Sequence, residues 1–202
     1  MAAPALIDLI LVRSSRTEWD AAARLGGDCD LPACATWGEE LAEALLGVDA
    51  SVVTAIVCGP DEASAQTANH IGQLAERKPR TIDDLREIDL GLWEGQRLDA
   101  LEERYGAFKQ WLDDPASVVA PEGESFEAAE NRLMAALARA IEKLNGKAKH
   151  VVVVLRPLAF HVVRSRLAGV PLTENWDAAV SGPLVVPIQI ERERLQPARG
   201  GV

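Results

Sequence analysis

Three aliphatic runs constrain this chain more than anything else in it. Residues 6–12 are aliphatic apart from Asp8, residues 52–58 read Val-Val-Thr-Ala-Ile-Val-Cys, and residues 150–155 hold four valines in a row. A strand with one wetted face alternates apolar and polar side chains, whereas an unbroken apolar run is a strand covered on both faces. Each run stops abruptly, at Arg13-Ser14-Ser15, Gly59-Pro60 and Arg156-Pro157. Strands buried on both sides and paired in parallel need crossover helices between them. The runs therefore predict an α/β fold, a three-layer sandwich with a mostly parallel sheet and helices on both faces.

The intervening segments supply those helices. Thr36-Trp37-Gly38-Glu39 has the form of a capping box and opens a helix that Gly47 ends. A second helix follows Gly59-Pro60 and runs to about Glu76. Residues 85–93 read as irregular or short extended structure. Leu98, Leu101, Tyr105, Phe108 and Leu112 recur at three- and four-residue steps, which predicts one helical stretch stopped by Asp114-Pro115. Ser125 is placed to cap a long helix whose face is Phe126, Ala129, Leu133, Leu137, Ile141 and Leu144, with Asn145-Gly146 closing it. Pro157 suits the first turn of the next helix. Residues 184–191 read as a last strand, interrupted by Pro187 and so at a sheet edge. Residues 196–202 read as a frayed tail. No repeat or linker divides the 202 residues, and a single domain over 1–202 is expected.

The net charge of −10 argues against nucleic acid or an anionic membrane as partner, yet leaves room for a small anionic ligand in a local basic pocket. The three cysteines, Cys29, Cys34 and Cys58, are sparse and odd in number, which fits a reducing cytoplasm. Cys29 and Cys34 lack the spacing and histidine partners of a zinc site, so no metal and no cofactor is expected. Residues 1–12 carry no basic segment ahead of the apolar run, and read as a strand, not a secretion signal. No apolar run reaches membrane-spanning length.

In open α/β sheets ligands bind beyond the carboxyl ends of the strands, where helix N-termini offer free N–H groups to anions. Three polar segments fall there: residues 13–17, 58–64 and 156–158. Leu11-Val12-Arg13-Ser14-Ser15-Arg16-Thr17-Glu18-Trp19-Asp20 resembles the signature LVRHGETEWN of the histidine phosphatase (phosphoglycerate mutase-like) superfamily. Arg24-Leu25-Gly26 resembles its GRLQG loop, and Gly38 fits its LGxxQA helix. Residues 58–68, CGPDEASAQTA, resemble SSPLKRARQTA, and residues 85–95, LREIDLGLWEG, match LREIDFGEWEG almost throughout. PEGESF at 121–126 resembles PGGESL, Arg156 stands within the family's second histidine motif, VSHGG, and residues 166–172 resemble the RLLGLPL stretch after it. The matches run in order along nearly the whole chain.

What the resemblance implies is mixed. In that family the first histidine attacks phosphorus, two arginines and the second histidine hold the phosphoryl oxygens, and a glutamate exchanges the proton. Carried over, Ser14 occupies the nucleophile position, Ser15 the next glycine, Arg13 the first clamping arginine, Ala63 the second, Glu87 the acid/base position and Arg156 the second histidine. The residues expected to meet an anion are Arg13, Ser15, Arg16, Thr17 and Arg156, with Arg13 and Arg156 facing each other across neighbouring strand ends. A serine hydroxyl needs a neighbouring base, and arginine cannot be one. His161, about a turn past Arg156, reads as a packed or surface histidine.

The preferred expectation is a catalytically inactive member that binds a phosphorylated or carboxylated small molecule, or a protein partner. Two alternatives stand beside it. One is a phosphomonoesterase or mutase with chemistry rewired around Ser14 and Glu87. The other is a structural or interaction module with no ligand, a homodimer through an exposed edge or helix being one form of it. At Arg156 two readings compete: a clamp on an external anion, or an internal ion pair with Glu87, Asp61 or Glu62.

Overall fold

The valine run does form a central strand. In the computed structural model, which describes residues 6–35, 37–144, 149–174 and 185–195, β4 (His150–Leu155) lies between β1 (Leu6–Arg13) and β2 (Ala55–Cys58). A two-residue strand β3 (Arg80–Thr81) and β5 (Val185–Glu191) take the edges, in the order β3-β2-β4-β1-β5. β1, β2, β3 and β4 pair in parallel and β5 is antiparallel to β1. This is the mostly parallel α/β sheet the aliphatic runs predict.

The pleat sends alternate side chains to opposite faces. Leu9, Leu11, Val151, Val153 and Leu155 join one core with helices α5 (Gly106–Asp113), α6 (Phe126–Glu142) and α7 (Pro157–Ala168). Ile10, Val12, Ile56, Val152 and Val154 join the other with α2 (Trp37–Ala44) and α3 (Glu62–Ala75). The sheet is thus covered on both sides. Ser125 accepts the Ala128 N–H at 3.1 Å and caps α6, and Pro157 sits in the first turn of α7, both as expected.

Two local expectations are corrected, and one short strand is added. The second strand begins at Ala55 rather than at residue 52, because Asp49 accepts the Ser51 N–H at 2.9 Å and folds Ala50–Val52 into a 3-10 turn. The helical stretch over 98–112 is two helices, α4 (Leu98–Arg104) and α5, broken where Tyr105 goes extended at φ −123°. Strand β3 was not anticipated; two exposed residues carry no periodicity to read. Thr36, Leu184, the Asn145-Gly146 stop, the extreme N-terminus and the 196–202 tail lie outside the described residues. Among the described residues no helix is long and apolar enough to cross a membrane.

The register matters for function. Arg13 pairs with Leu155 and Cys58 with Val154, so three strands end side by side. The ladder continues past their ends, with the Ser14 N–H donating to the Leu155 carbonyl at 2.7 Å and the Gly59 N–H to Val154 at 3.1 Å. The loops that follow β1, β2 and β4 therefore emerge as neighbours.

Candidate active site

The first loop turns sharply into α1 (Glu18–Ala21), capped by Thr17. Thr17 and Asp20 form a reciprocal capping box. The Asp20 Oδ2 accepts the Thr17 N–H at 2.7 Å and its hydroxyl at 2.8 Å. Ser15 is buried and tied to α3, its N–H donating to Thr67 Oγ1 at 3.0 Å with the two hydroxyls 3.1 Å apart. Arg16 is exposed, and its carbonyl accepts the Cys34 N–H.

Ser14 is 1% exposed. Among the described residues its hydroxyl has Arg156 Nη1 for a partner, 3.5 Å away. Arg156, also 1% exposed, places Nη2 3.4 Å from Asp20 Oδ2, while among the described residues its Nε has no hydrogen-bond partner. The guanidinium thus has a carboxylate partner, but neither Glu87, Asp61 nor Glu62 as expected. Each of those three holds a hydrogen bond elsewhere and none comes within ion-pair reach of Arg156. Asp61 caps α3 through the Ser64 N–H at 2.9 Å. Glu62 accepts from Gln66 at 2.9 Å. Glu87 is held by backbone: Oε1 accepts from Ile88 at 2.8 Å and Ala159 at 2.6 Å, and Oε2 from Leu158 at 2.8 Å.

Burial pushes the Glu87 carboxyl up to about 7, against the pull of Arg156 and the three N–H groups. Burial opposes the charge on Arg156 too, yet Asp20, Glu87 and Asp61 together hold its pKa above the ordinary value. Cys29, on the loop over the site, is pushed up to about 11 by burial and stays a thiol at neutral pH. Arg13 ends β1 beside Leu155, the residue before Arg156, but borders a hollow of about 290 Å³ with Glu40, Glu43 and Ala44 of α2. His161 is buried in α7 with its ring edge-on to Phe160, as a packed histidine would be.

The loop of residues 26–35 closes over these groups. A side chain at Gly26 would come within 3.6 Å of Arg156 Nη2. The loop is fastened to α3, where Asp30 accepts the Glu62 N–H at 2.8 Å, Leu31 the Ala63 N–H at 3.1 Å, and Gln66 the Ala33 N–H at 2.9 Å. The free N–H groups that open α3 and α7 are consequently met by the protein's own oxygens.

Comparison with known families decides the lineage. A model of the histidine phosphatase superfamily (branch 1) matches residues 9–199. The chain belongs to that superfamily. Phosphoserine phosphatase 1 of Hydrogenobacter thermophilus is 27% identical over 191 residues, covering 94% of this chain and 89% of the relative. The phosphoglycerate mutase structure from Bacillus anthracis superposes with a TM-score of 0.75 at 19% identity, over 94% of this chain and 90% of that one. A mycobacterial glucosyl-3-phosphoglycerate phosphatase superposes at 0.71 with 22% identity, over 88% and 85%. The histidine phosphatase fold is thus shared along nearly the full chain.

Sequence reasoning missed Asp20, Thr67 and Arg132 as members of this site. Arg132 of α6 donates to the Asp84 and Arg86 carbonyls at 3.0 Å each and to Glu87 at 3.2 Å, and pairs with Glu124. It therefore fixes the segment that carries Glu87. The signal for Asp20 was present: a buried arginine needs a carboxylate, and Asp20 replaces the asparagine that ends the signature.

Proposed function

We propose that this chain is a single-domain, non-hydrolysing member of the histidine phosphatase superfamily, working in the cytoplasm by binding rather than by turnover. One observation carries the reading. The hydroxyl at the nucleophile position faces a guanidinium, and a group that can only donate hydrogen bonds cannot take the serine proton. The backbone N–H groups at the helix starts beside the strand ends are meanwhile met by Glu87, Asp20, Asp30 and Asp61. Its partner is an anionic small molecule that can compete with those carboxylates, or another protein.

Glu87 is what favours the second reading, a phosphomonoesterase rewired around Ser14. A carboxyl near pH 7 suits a general base. Yet both its oxygens serve α7, and its bonds run to backbone rather than to Ser14.

An assay of the purified chain on a generic phosphomonoester, with a search for acid-labile phosphohistidine, tests the proposal. The expected result is no turnover above buffer and no adduct. Turnover that disappears in Ser14→Ala or Glu87→Gln establishes the rewired enzyme instead.

A further inference from the structure

We propose that the groove between α2 and the outer sheet strands β1 and β5 docks a basic amphipathic helix of another protein. The surface goes beyond the binding-only reading, because its floor lies outside the strand-end residues and a hydrolase could carry it equally.

The groove exists because α2 is too short to cover the sheet to its edge. Ile10 and Val12 point into the core under α2 and α3. β5 pairs with β1 so that Pro187 stands opposite Ile10 and Val185 opposite Val12. Opposed residues of an antiparallel pair share a face, so both point to the α2 side. That helix stops at Ala44, and the chain passes through Gly47 and Val48 into the 3-10 turn Ala50–Val52. Pro187 is left exposed and Val185 half-buried. Ile10, Ala44, Val48, Val52, Val185 and Pro187 line the resulting hollow of about 280 Å³. Leu46, on the turn after α2, is 85% exposed. Apolar surface left in water and rimmed by charge marks an interaction site.

A second depression continues the first. Ala44 also borders the hollow of about 290 Å³ formed with Arg13, Glu40 and Glu43, so the two lie in series along one flank of α2. Each is smaller than the roughly 300–1,000 Å³ of a small-molecule site. Two in series suit a helix that sets side chains into them at three- and four-residue steps.

Charge decides the sign of the partner. Residues 25–76 contain nine acidic side chains and no lysine or arginine. Glu40, Glu43 and Asp49 line the two hollows, against one cation, the buried Arg13. A helix with lysines or arginines flanking its apolar stripe meets that rim with complementary charge. A second copy fits worse, since an isologous contact would set Glu40 and Glu43 against an equally acidic surface. An anionic membrane fits worse for the same reason.

The test is fluorescence anisotropy of the full chain with a labelled helical peptide of leucine and lysine, its leucines spaced to form one stripe. The wild type should bind it, and a peptide of the same composition in scrambled order should bind about tenfold more weakly, having no stripe to bury. Glu40→Gln/Glu43→Gln should weaken binding about fivefold, whereas Glu102→Gln/Glu103→Gln, the same charge change on α4, should leave it unaltered. Ala44→Lys, which sets a cation where the two hollows meet, should remove measurable binding. Val52→Lys repeats that test at an exposed position should Ala44→Lys fail to fold. The proposal is overturned if the wild type does not bind, if the scrambled peptide binds equally, or if the α4 pair weakens binding as much as the α2 pair. It is overturned too if sedimentation shows a dimer that Ala44→Lys or Val52→Lys dissociates, because the groove is then a contact between copies. Phosphatase turnover by the wild type would defeat the non-hydrolysing reading and leave this surface untouched, so the two failures are distinct.

Discussion

Glu87 and Ala159 are joined by a 2.6 Å hydrogen bond, from the second N–H of α7 to a buried carboxylate oxygen, and Leu158 donates to the other oxygen at 2.8 Å. A helix start with free N–H groups and a positive dipole end is a ready anion site. Here Pro157 has no N–H and the next two are spent on Glu87. A feature that in an open α/β sheet would invite a phosphate has become a joint between α7 and the segment before the 3-10 turn Gly91–Trp93.

The Glu87 joint should give the fold a distinctive pH dependence. The carboxyl titrates near 4.5 when unfolded and near 7 when folded. Between those values the folded state holds more protons, so this group's contribution falls as pH rises and is fully lost above about 7. The shift corresponds to about 3 kcal/mol. Glu87→Gln has no proton to lose. Measured by urea unfolding, its stability relative to the wild type should improve by about that amount between pH 4.5 and pH 8. A constant difference across that range would show that Glu87 is not perturbed.

Much of this arrangement could be read from the chain, and the reason is that it is local. Valines 151–154 and the aliphatic run before Arg13 declare doubly covered strands without help from the rest of the molecule. Ser125 and Pro157 declare helix starts by chemistry confined to one turn. What escaped was non-local. The break at Tyr105 runs against an unbroken three- and four-residue pattern. The partner of Arg156 is Asp20, 136 residues away, chosen over two other nearby carboxylates, Glu87 and Asp61. No spacing rule ranks such competitors; the three-dimensional reach of each carboxylate to the guanidinium does.

Thr67→Val should test the tie between the first loop and α3. Thr67 Oγ1 accepts the buried Ser15 N–H at 3.0 Å and donates to the Ala63 carbonyl at 2.8 Å. Valine has the same shape and leaves that N–H unmet in the interior. The expected loss is about 2 kcal/mol by chemical denaturation, with Thr67→Ser recovering most of it.

Arg132→Leu should be the more damaging change, although Arg132 lies outside the signature motifs. One guanidinium serves the carbonyls of Asp84, Arg86 and Glu87 and the carboxylate of Glu124. Its loss strands several largely buried acceptors at once, and about 3 to 4 kcal/mol of stability should go with it. Glu124 also accepts the Asp89 N–H at 3.1 Å, so loosening should spread along residues 84–90. Hydrogen exchange of the Ile88 and Asp89 amides would report it directly, and unchanged protection there would refute the tether.

Restoring both histidines should not restore phosphohistidine chemistry. In Ser14→His/Arg156→His the new nucleophile would stand beside Asp20, whose charge repels the incoming phosphoryl group. Ala63 would still supply no second clamp, and Arg156, whose guanidinium meets the Ser14 hydroxyl, would be gone. Transition-state charge on a transferring phosphoryl group needs preorganised donors as well as a nucleophile. The expected outcome is no acid-labile phosphoryl adduct after incubation with a phosphomonoester. Adding Asp20→Asn and Ala63→Arg to the pair is the combination in which an adduct should first be detected. An adduct already present in the double variant would mean that the histidines were the whole of the deficit, and that Asp20 does not guard the site.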